Sequence, residues 1–343
     1  MCTIGNKRYT IARKLRSIIQ YEEKGGERLL IEERKKPHKL VVLEVILRRL
    51  KKTTPRYSYF LEEHRKMSAG FAGERYVDRV WKEIDLPSPF QLIHDYCFVN
   101  DAGFTHQVDT IFITPHFLCL LEIKNIAGRL DFDDVRRQCI RTMADGRIES
   151  MLYPVDQLLR HERYFQRVLK QLQLELPIVK IILIAQSSTI IGRTSEICPI
   201  LHSVGLPHFL TQQWQRFGQR AISITDFNRL CEYLNAMRQD KRWVQEINCD
   251  ELRTGVLCRS CSYKRKMFYV KGSWFCHSCG IENNEAFYEA LQDYRLLKGS
   301  YLTNAILCEE FGVPSKHIAY RILRALGFEK VSNCRHSRYK IPE

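Results

Sequence analysis

Glu122 and Lys124 stand two residues apart in the apolar run "FLCLLEIKN", and Asp109 lies in the strand-like segment "HQVDTIFIT" just before it. In a strand, residues two apart share a face, so the acid and the base project together. A short turn between the segments makes a hairpin that can bring Asp109 beside Glu122. Two converging carboxylates repel, and a divalent cation relieves the repulsion. Mg²⁺ suits such oxygen ligands, with waters and substrate phosphate completing its shell. The lysine would then orient or help deprotonate an attacking water, or stabilise developing phosphate charge. A plain Glu–Lys pair at a strand mouth and a turn-capping Asp109 are the alternatives these three residues leave open.

Four of the thirteen cysteines form a second constellation, Cys258, Cys261, Cys276 and Cys279, spaced C-x2-C-x14-C-x2-C. Each C-x2-C turn supplies half of a tetrahedral thiolate site, and the stretch between is long enough for a hairpin. Four thiolates leave no open position, so the implied Zn²⁺ is structural, and His277 is surplus to a complete set. The other cysteines are scattered singly, as at Cys97, Cys119 and Cys139, like the small buried hydrophobes of a reducing compartment. Inside the ribbon, Lys264, Arg265, Lys266 and Lys271 alternate with Tyr263, Phe268, Tyr269, Trp274 and Phe275. Cations can follow a nucleic-acid backbone while aromatics stack on bases; a ribbon this small also needs aromatics for its own core, and both uses stay open.

The elements that must position these groups follow from periodicity. Residues 1–66 read as basic and helical, with "KLVVLEVILRRLKK" (39–52) carrying an apolar face and a cationic flank, either packed on the main domain or used as a membrane-surface or nucleic-acid arm. "EKGGER" and "KKP" punctuate this region. "SAGFAGERYVDRVWKEI" predicts a helix, residues 87–125 successive strands turning at Asn100–Gly103 and Pro115–His116, "YPVDQLLRHERYFQRVLKQL" a long helix and "IVKIILIAQ" a buried strand. The order of elements indicates an α/β or α+β core in a domain over 67–248, with a zinc ribbon at 249–283 and a helical module at 284–343. In that module "TNAILCEEFGVPSKHIAYRILRALGF" has helix-turn-helix-like spacing with Thr303 and Ser315 as N-caps. Arg335, Arg338 and Lys340 follow in the place of a basic wing, for nucleic-acid contact or simple helix packing.

The 343 residues can hold two or three domains, and the formal net charge of +15 favours a polyanionic partner. No apolar stretch approaches a membrane span, and the N-terminus lacks the apolar core of a signal peptide. A cytoplasmic location is the expectation.

The spacing Asp–x12–Glu–x–Lys resembles the core of the PD-(D/E)xK nuclease superfamily. "AGFAGERYV", "QVDTIFITPHFLCLLEIKNIAG" and "YPVDQLLRH" occur in the order seen in NERD, the nuclease-related domain, and "EERKKPHKLVVLEVILRRL" resembles the lead-in of bacterial NERD proteins. The resemblance covers roughly residues 30–245 and implies a restriction-endonuclease-like core, a mixed sheet flanked by helices. It implies that Glu74, Asp109 and Glu122 hold Mg²⁺ or Mn²⁺, that Lys124 is the catalytic lysine, and that Gln157 contacts the site or a phosphate. His161, one helical turn beyond Gln157, takes a structural or phosphate-contact role. His106 departs from the family, which often has an aromatic residue there. The expected function is metal-dependent hydrolysis of nucleic acid, DNA before RNA, with the ribbon and C-terminal helices as binding modules. Alternatives are an inactive nucleic-acid-binding adaptor on the same scaffold, and an interaction protein that docks through its N-terminal helices.

Overall fold

The computed structural model describes residues 20–24, 27–31, 33–85, 89–240, 242–331 and 337–342. The chain forms two compact units: one takes the residues up to Lys35 with Ala69–Lys241, the other takes Lys36–Ser68 with Arg242–Glu343.

In the first unit, β1 (Gln20–Lys24) and β2 (Glu27–Ile31) pair antiparallel. The helical reading of 1–66 is wrong for this stretch, because Gly-Gly between two short segments is a composition that two-residue hairpin connections favour; residues 1–19 lie outside the described residues. Helices α1 (His38–Arg49) and α2 (Tyr57–Lys82) follow, and the unit boundary falls inside α2. Then β3 (Gln91–Val99), β4 (Thr105–Ile113) and β5 (Leu118–Lys124) run as antiparallel neighbours. Side chains build both turns. Asn100 Oδ1 accepts from the N–H groups of Ala102 and Phe104 at 3.1 and 2.9 Å, and Thr114 Oγ1 from those of His116 and Phe117 at 3.1 and 3.0 Å.

A meander of β6 (Arg129–Asp133), β7 (Gln138–Thr142) and β8 (Ile148–Leu152) leads into α3 (Pro154–Gln171), which opens on its proline. The chain returns as β9 (Ile178–Ile184), parallel to β5. β10 (Ile190–Ile191) lies along β6, and β11 (Ile200–His202) along β9. Helices α4 (Leu206–Arg216) and α5 (Ile224–Met237) complete the unit, whose main sheet has the order β1-β2-β3-β4-β5-β9-β11.

β5 is covered on both faces. Leu118 and Leu120 pack with Val155, Leu158 and Phe165 of α3 and Leu230 of α5. Cys119, Leu121 and Ile123 pack with Val77 and Trp81 of α2 and Phe209 of α4. Burial on both sides accounts for the near-continuous apolar run, and alternation directs Glu122 and Lys124 to the α3 side. In β3 and β4 the alternation breaks. Ile93 and Tyr96, three apart, enter the same α3-side cluster, as do Val108 and Ile111. The register is nevertheless constant from Gln91↔Ile113 to Val99↔Thr105. The change of face centres on Asp95, a left-handed residue at φ +52°, and on Asp109, which stands opposite it on that register.

In the second unit, Val42, Leu43 and Ile46 of α1 pack with Phe60 and Leu252. Arg48 and Arg49 reach Asp293 at 3.0 and 2.7 Å, and Asp293 is 2% exposed. The cationic flank of α1 is thus used inside this unit and is not held out as an arm. β12 (Val256–Leu257), β13 (Lys266–Val270) and β14 (Ser273–Phe275) form a small antiparallel sheet. Lys271 and Gly272 join β13 to β14 at φ +48° and +101°, the paired left-handed residues of a type I′ turn. After α6 (Glu285–Leu297) come β15 (Tyr301–Leu302), α7 (Asn304–Phe311), α8 (Lys316–Leu326) and β16 (Tyr339–Lys340). Thr303 and Ser315 cap α7 and α8 by accepting an N–H at 3.2 Å, Gly312 and Gly327 end them in the left-handed region, and β15 pairs with β16. Ribbon and helices share one core, with Met267 and Trp274 against Phe287, Leu291, Phe311 and Leu323. Among the described residues no helix is long and apolar enough to cross a membrane.

Candidate active site and zinc centre

β5 carries Glu122 and Lys124 out of the core side by side, and Lys124 Nζ donates to Glu122 Oε1 at 2.5 Å. Glu122 is 2% exposed, and its Oε2 has no hydrogen-bond partner. Asp109 stands opposite, one step past the last paired residues Thr110↔Leu121. There the backbone ladder gives way to a side chain: the Ile123 N–H donates to Asp109 Oδ2 at 2.8 Å.

Burial first, then the Asp109 charge, pushes the Glu122 carboxyl up to about 8, against Lys124 and the Gln157 side chain, which favour the ionised form. Gln157 therefore lies on this carboxylate, though it does not reach Oε2 in hydrogen-bond geometry. Burial likewise raises Asp109, opposed by Lys124 and the Ile123 N–H. Burial alone would lower Lys124, but Glu122 and Asp109 outweigh it and hold the ammonium charged.

Glu74 reaches the site from α2, in the layer on the other side of the sheet. Gly73 permits the approach: a Cβ there would lie 2.5 Å from Asn125 Cβ and 3.2 Å from Ala185 Cβ. Asn125 Nδ2 also donates to the Ala69 carbonyl at 2.7 Å. Glu74 is held by a residue that sequence reasoning missed, Arg34, whose side chain is 0% exposed. Arg34 Nη1 donates to Glu74 Oε2 at 3.2 Å and Asp95 Oδ1 at 3.1 Å, Nε to Asp78 Oδ2 at 3.1 Å, and Nη2 to Thr110 Oγ1 at 2.8 Å. Nη2 also lies 3.0 Å from His94 Nδ1. Burial, then Arg34, drops His94 to about 3, so it is a neutral acceptor. Burial and then Asp109 raise Glu74 to about 8 despite Arg34, and burial raises Asp95 to about 6, with Arg34 opposing.

Two half-sites therefore flank Asp109. Glu122, Lys124 and Gln157 lie on the α3 side; Glu74, Asp78, Asp95 and Arg34 lie on the α2 side. The oxygens of Glu74, Asp109 and Glu122 do not gather into one set: among the described residues, only the four cysteines close on one another as a group of potential ligands. The unpartnered Glu122 Oε2 beside Asp109 fits a divalent cation held by that pair, while Glu74 serves Arg34. Two signals for the missed residues were present: Glu74 and Asp78 stand four apart on one helix face, and Asp95 interrupts an apolar strand as Glu122 does. Arg34 offers none, as a lone arginine far along the chain from its partners.

His161 is buried, its Nδ1 is without a hydrogen-bond partner, and burial followed by His106 lowers it to about 3. Its ring sits edge-on to Phe98 at 5.8 Å and to His106 at 6.0 Å. His106 in turn stacks on Phe98 at 5.3 Å, filling the place of an aromatic ring.

In the ribbon, the sulfurs of Cys258 and Cys279 lie 3.7 Å apart and those of Cys261 and Cys276 3.8 Å apart. A tetrahedron with Zn–S of about 2.3 Å has edges of about 3.8 Å; these two separations match it, and all four sulfurs lie within 4.8 Å of one another, which fits a Zn²⁺ site. Lys264, Arg265, Lys266, Lys271, Arg338 and Lys340 are exposed, and Arg335 lies outside the described residues.

No curated protein and no solved structure matches the chain. Residues 69–185 match the family model NERD, the nuclease-related domain, a span that holds Glu74, Asp109, Glu122, Lys124 and Gln157; the chain thus carries a nuclease-related domain and, beyond it, a four-cysteine cluster that fits a zinc ribbon.

Proposed function

We propose that the protein is a metal-dependent phosphodiesterase acting on nucleic acid, DNA before RNA, in a cytoplasmic setting. The observation that carries this reading is the buried Glu122 carboxylate, with one oxygen on Lys124, the other unpartnered, and Asp109 opposite. Mg²⁺ or Mn²⁺ held by Asp109 and Glu122 would polarise a phosphate and lower the pKa of bound water. The chain's own groups do the rest. Lys124 stays charged and offers a donor to a water or a phosphoryl oxygen. Gln157 favours the ionised form of Glu122. Glu74 is a positioning residue, tying α2 to the site through Arg34. The exposed cations Lys264, Arg265, Lys266 and Lys271 of the ribbon and Arg338 and Lys340 of the tail support nucleic-acid binding, with Zn²⁺ structural.

A second reading, an inactive nucleic-acid-binding adaptor, is favoured by one observation: the Arg34 guanidinium engages Glu74, so this carboxylate already has a cationic partner from the chain itself. Incubating the purified protein with linear, circular and single-stranded DNA and with RNA, with Mg²⁺, Mn²⁺ or no divalent ion, separates the two. The nuclease reading expects metal-dependent cleavage that Asp109→Ala and Lys124→Ala each abolish. Cleavage that survives both substitutions, or none on any substrate, sinks it.

A further inference from the structure

The aromatic residues of the ribbon divide by face. Met267 and Trp274 point inward and are buried, with Trp274 stacked on Phe287 of α6 at 5.2 Å and met by Tyr269 at 5.4 Å. The alternate positions point outward: Lys266, Phe268 and Val270 along β13, then Phe275 and His277 along and just past β14. Phe268 is 52% exposed and pairs across the strands with Phe275. The His277 ring lies 5.0 Å from that of Phe268 and 5.4 Å from that of Phe275. Three rings thus form one surface cluster that the ribbon core does not use, since Met267, Tyr269 and Trp274 supply that core. Exposed Lys266 shares that face of β13, and Lys264, Arg265 and Lys271 are exposed at the two ends of the strand; no acidic residue occurs between Cys258 and Cys279, and Glu282 just beyond is bridged to Phe275.

We propose that this face is a stacking platform for single-stranded nucleic acid, with a base against the Phe268–His277 surface and the backbone along the lysine and arginine rim. Aromatic rings gain from a base only when its face is free, whereas a duplex presents phosphates and groove edges. A cationic segment carrying clustered rings, with Glu282 bridged to Phe275 as its one acidic cross-strand neighbour among the pairings seen, complements a strand that offers unstacked bases and phosphates together. The proposal rests on nucleic acid being the partner, as in the function above, and narrows that partner to its single-stranded form.

The test uses the full chain carrying Asp109→Ala, so that binding is read apart from cleavage and the two readings fail separately. Fluorescence anisotropy follows labelled oligothymidylate, oligouridylate and a duplex of equal length, and metal analysis follows zinc in every variant. Phe268→Ala is expected to weaken single-strand binding about tenfold, leave duplex binding unchanged and retain zinc, while Phe268→Tyr binds as the parent does. Lys266→Ala is expected to lower the salt dependence by about one counterion. The proposal is overturned if neither single strand binds, or if Phe268→Ala and Phe268→Leu both bind like the parent with zinc in place. It is equally overturned if Phe268→Ala weakens duplex and single strand alike.

Discussion

Arg34 is a guanidinium shut away from solvent among Glu74, Asp78 and Asp95, and without it these carboxylates face one another in a medium that screens poorly. Arg34→Met is expected to destabilise the fold by about 3–5 kcal/mol near pH 8. Near pH 5 the loss should shrink, because Glu74 and Asp95, raised to about 8 and about 6, then take up protons. Urea denaturation at the two pH values measures this; a loss of equal size at both would remove the electrostatic account. His94 and His161 give the opposite pH signature. Both are held near 3 in the fold against an ordinary 6.5, so between those values the unfolded chain binds protons that the native state does not. Stability therefore rises with pH across that window and is lost as pH falls through it. His161→Phe should flatten the acid limb of the stability curve by up to one proton, read from denaturation midpoints between about pH 4 and 7. Asp109, Glu122 and Lys124 were legible because charge in an apolar strand is rare enough to notice, whereas Glu74 and Gln157, both on helices, came only from the family resemblance. Arg34 was not, because nothing local in "EERKK" separates one arginine from its neighbours.

At the scale of elements, the contact between α2 and the end of β5 sets where Glu74 sits. Gly73→Ala places a methyl 2.5 Å from Asn125 Cβ and should cost about 1–3 kcal/mol, with any cleavage activity falling as α2 is displaced. Gly70 on the same helix has nothing within 4 Å of its own missing Cβ, so Gly70→Ala should be neutral or stabilising by up to about 1 kcal/mol. Equal thermal shifts for the two variants would show that the helix does not dock as closely as the glycine suggests. Periodicity revealed α2, β3, β4, β5, α3 and β9, since each buries one face or both. It could not reveal the switch of faces at Asp95 and Asp109, because one left-handed residue leaves the register intact while reversing which side chains point inward. The hairpin of β1 and β2 was missed because charged residues hide its strand pattern.

For the molecule as a whole, the zinc centre is the part most open to measurement. About one zinc per chain is expected, and Cys276→Ser should lose it along with the near-ultraviolet circular dichroism of Trp274, which packs in the same cluster; retention of both would exclude a structural metal. The four cysteines were readable from spacing alone, since thiolate geometry dictates it. The partition of the chain was less so. Sequence composition puts a border near residue 66, whereas 36–68 fold with 242–343, because Arg48 and Arg49 look like surface cations until Asp293, more than two hundred residues away, is seen to accept them. The two units are consequently interleaved along one reading frame. A fragment spanning 69–241 would leave Glu74 without Arg34, and one beginning at 242 would leave a buried aspartate without either arginine. Recombination cannot lift out the ribbon or the site at a single breakpoint, so the two must be inherited as one gene or be rebuilt around the missing charge.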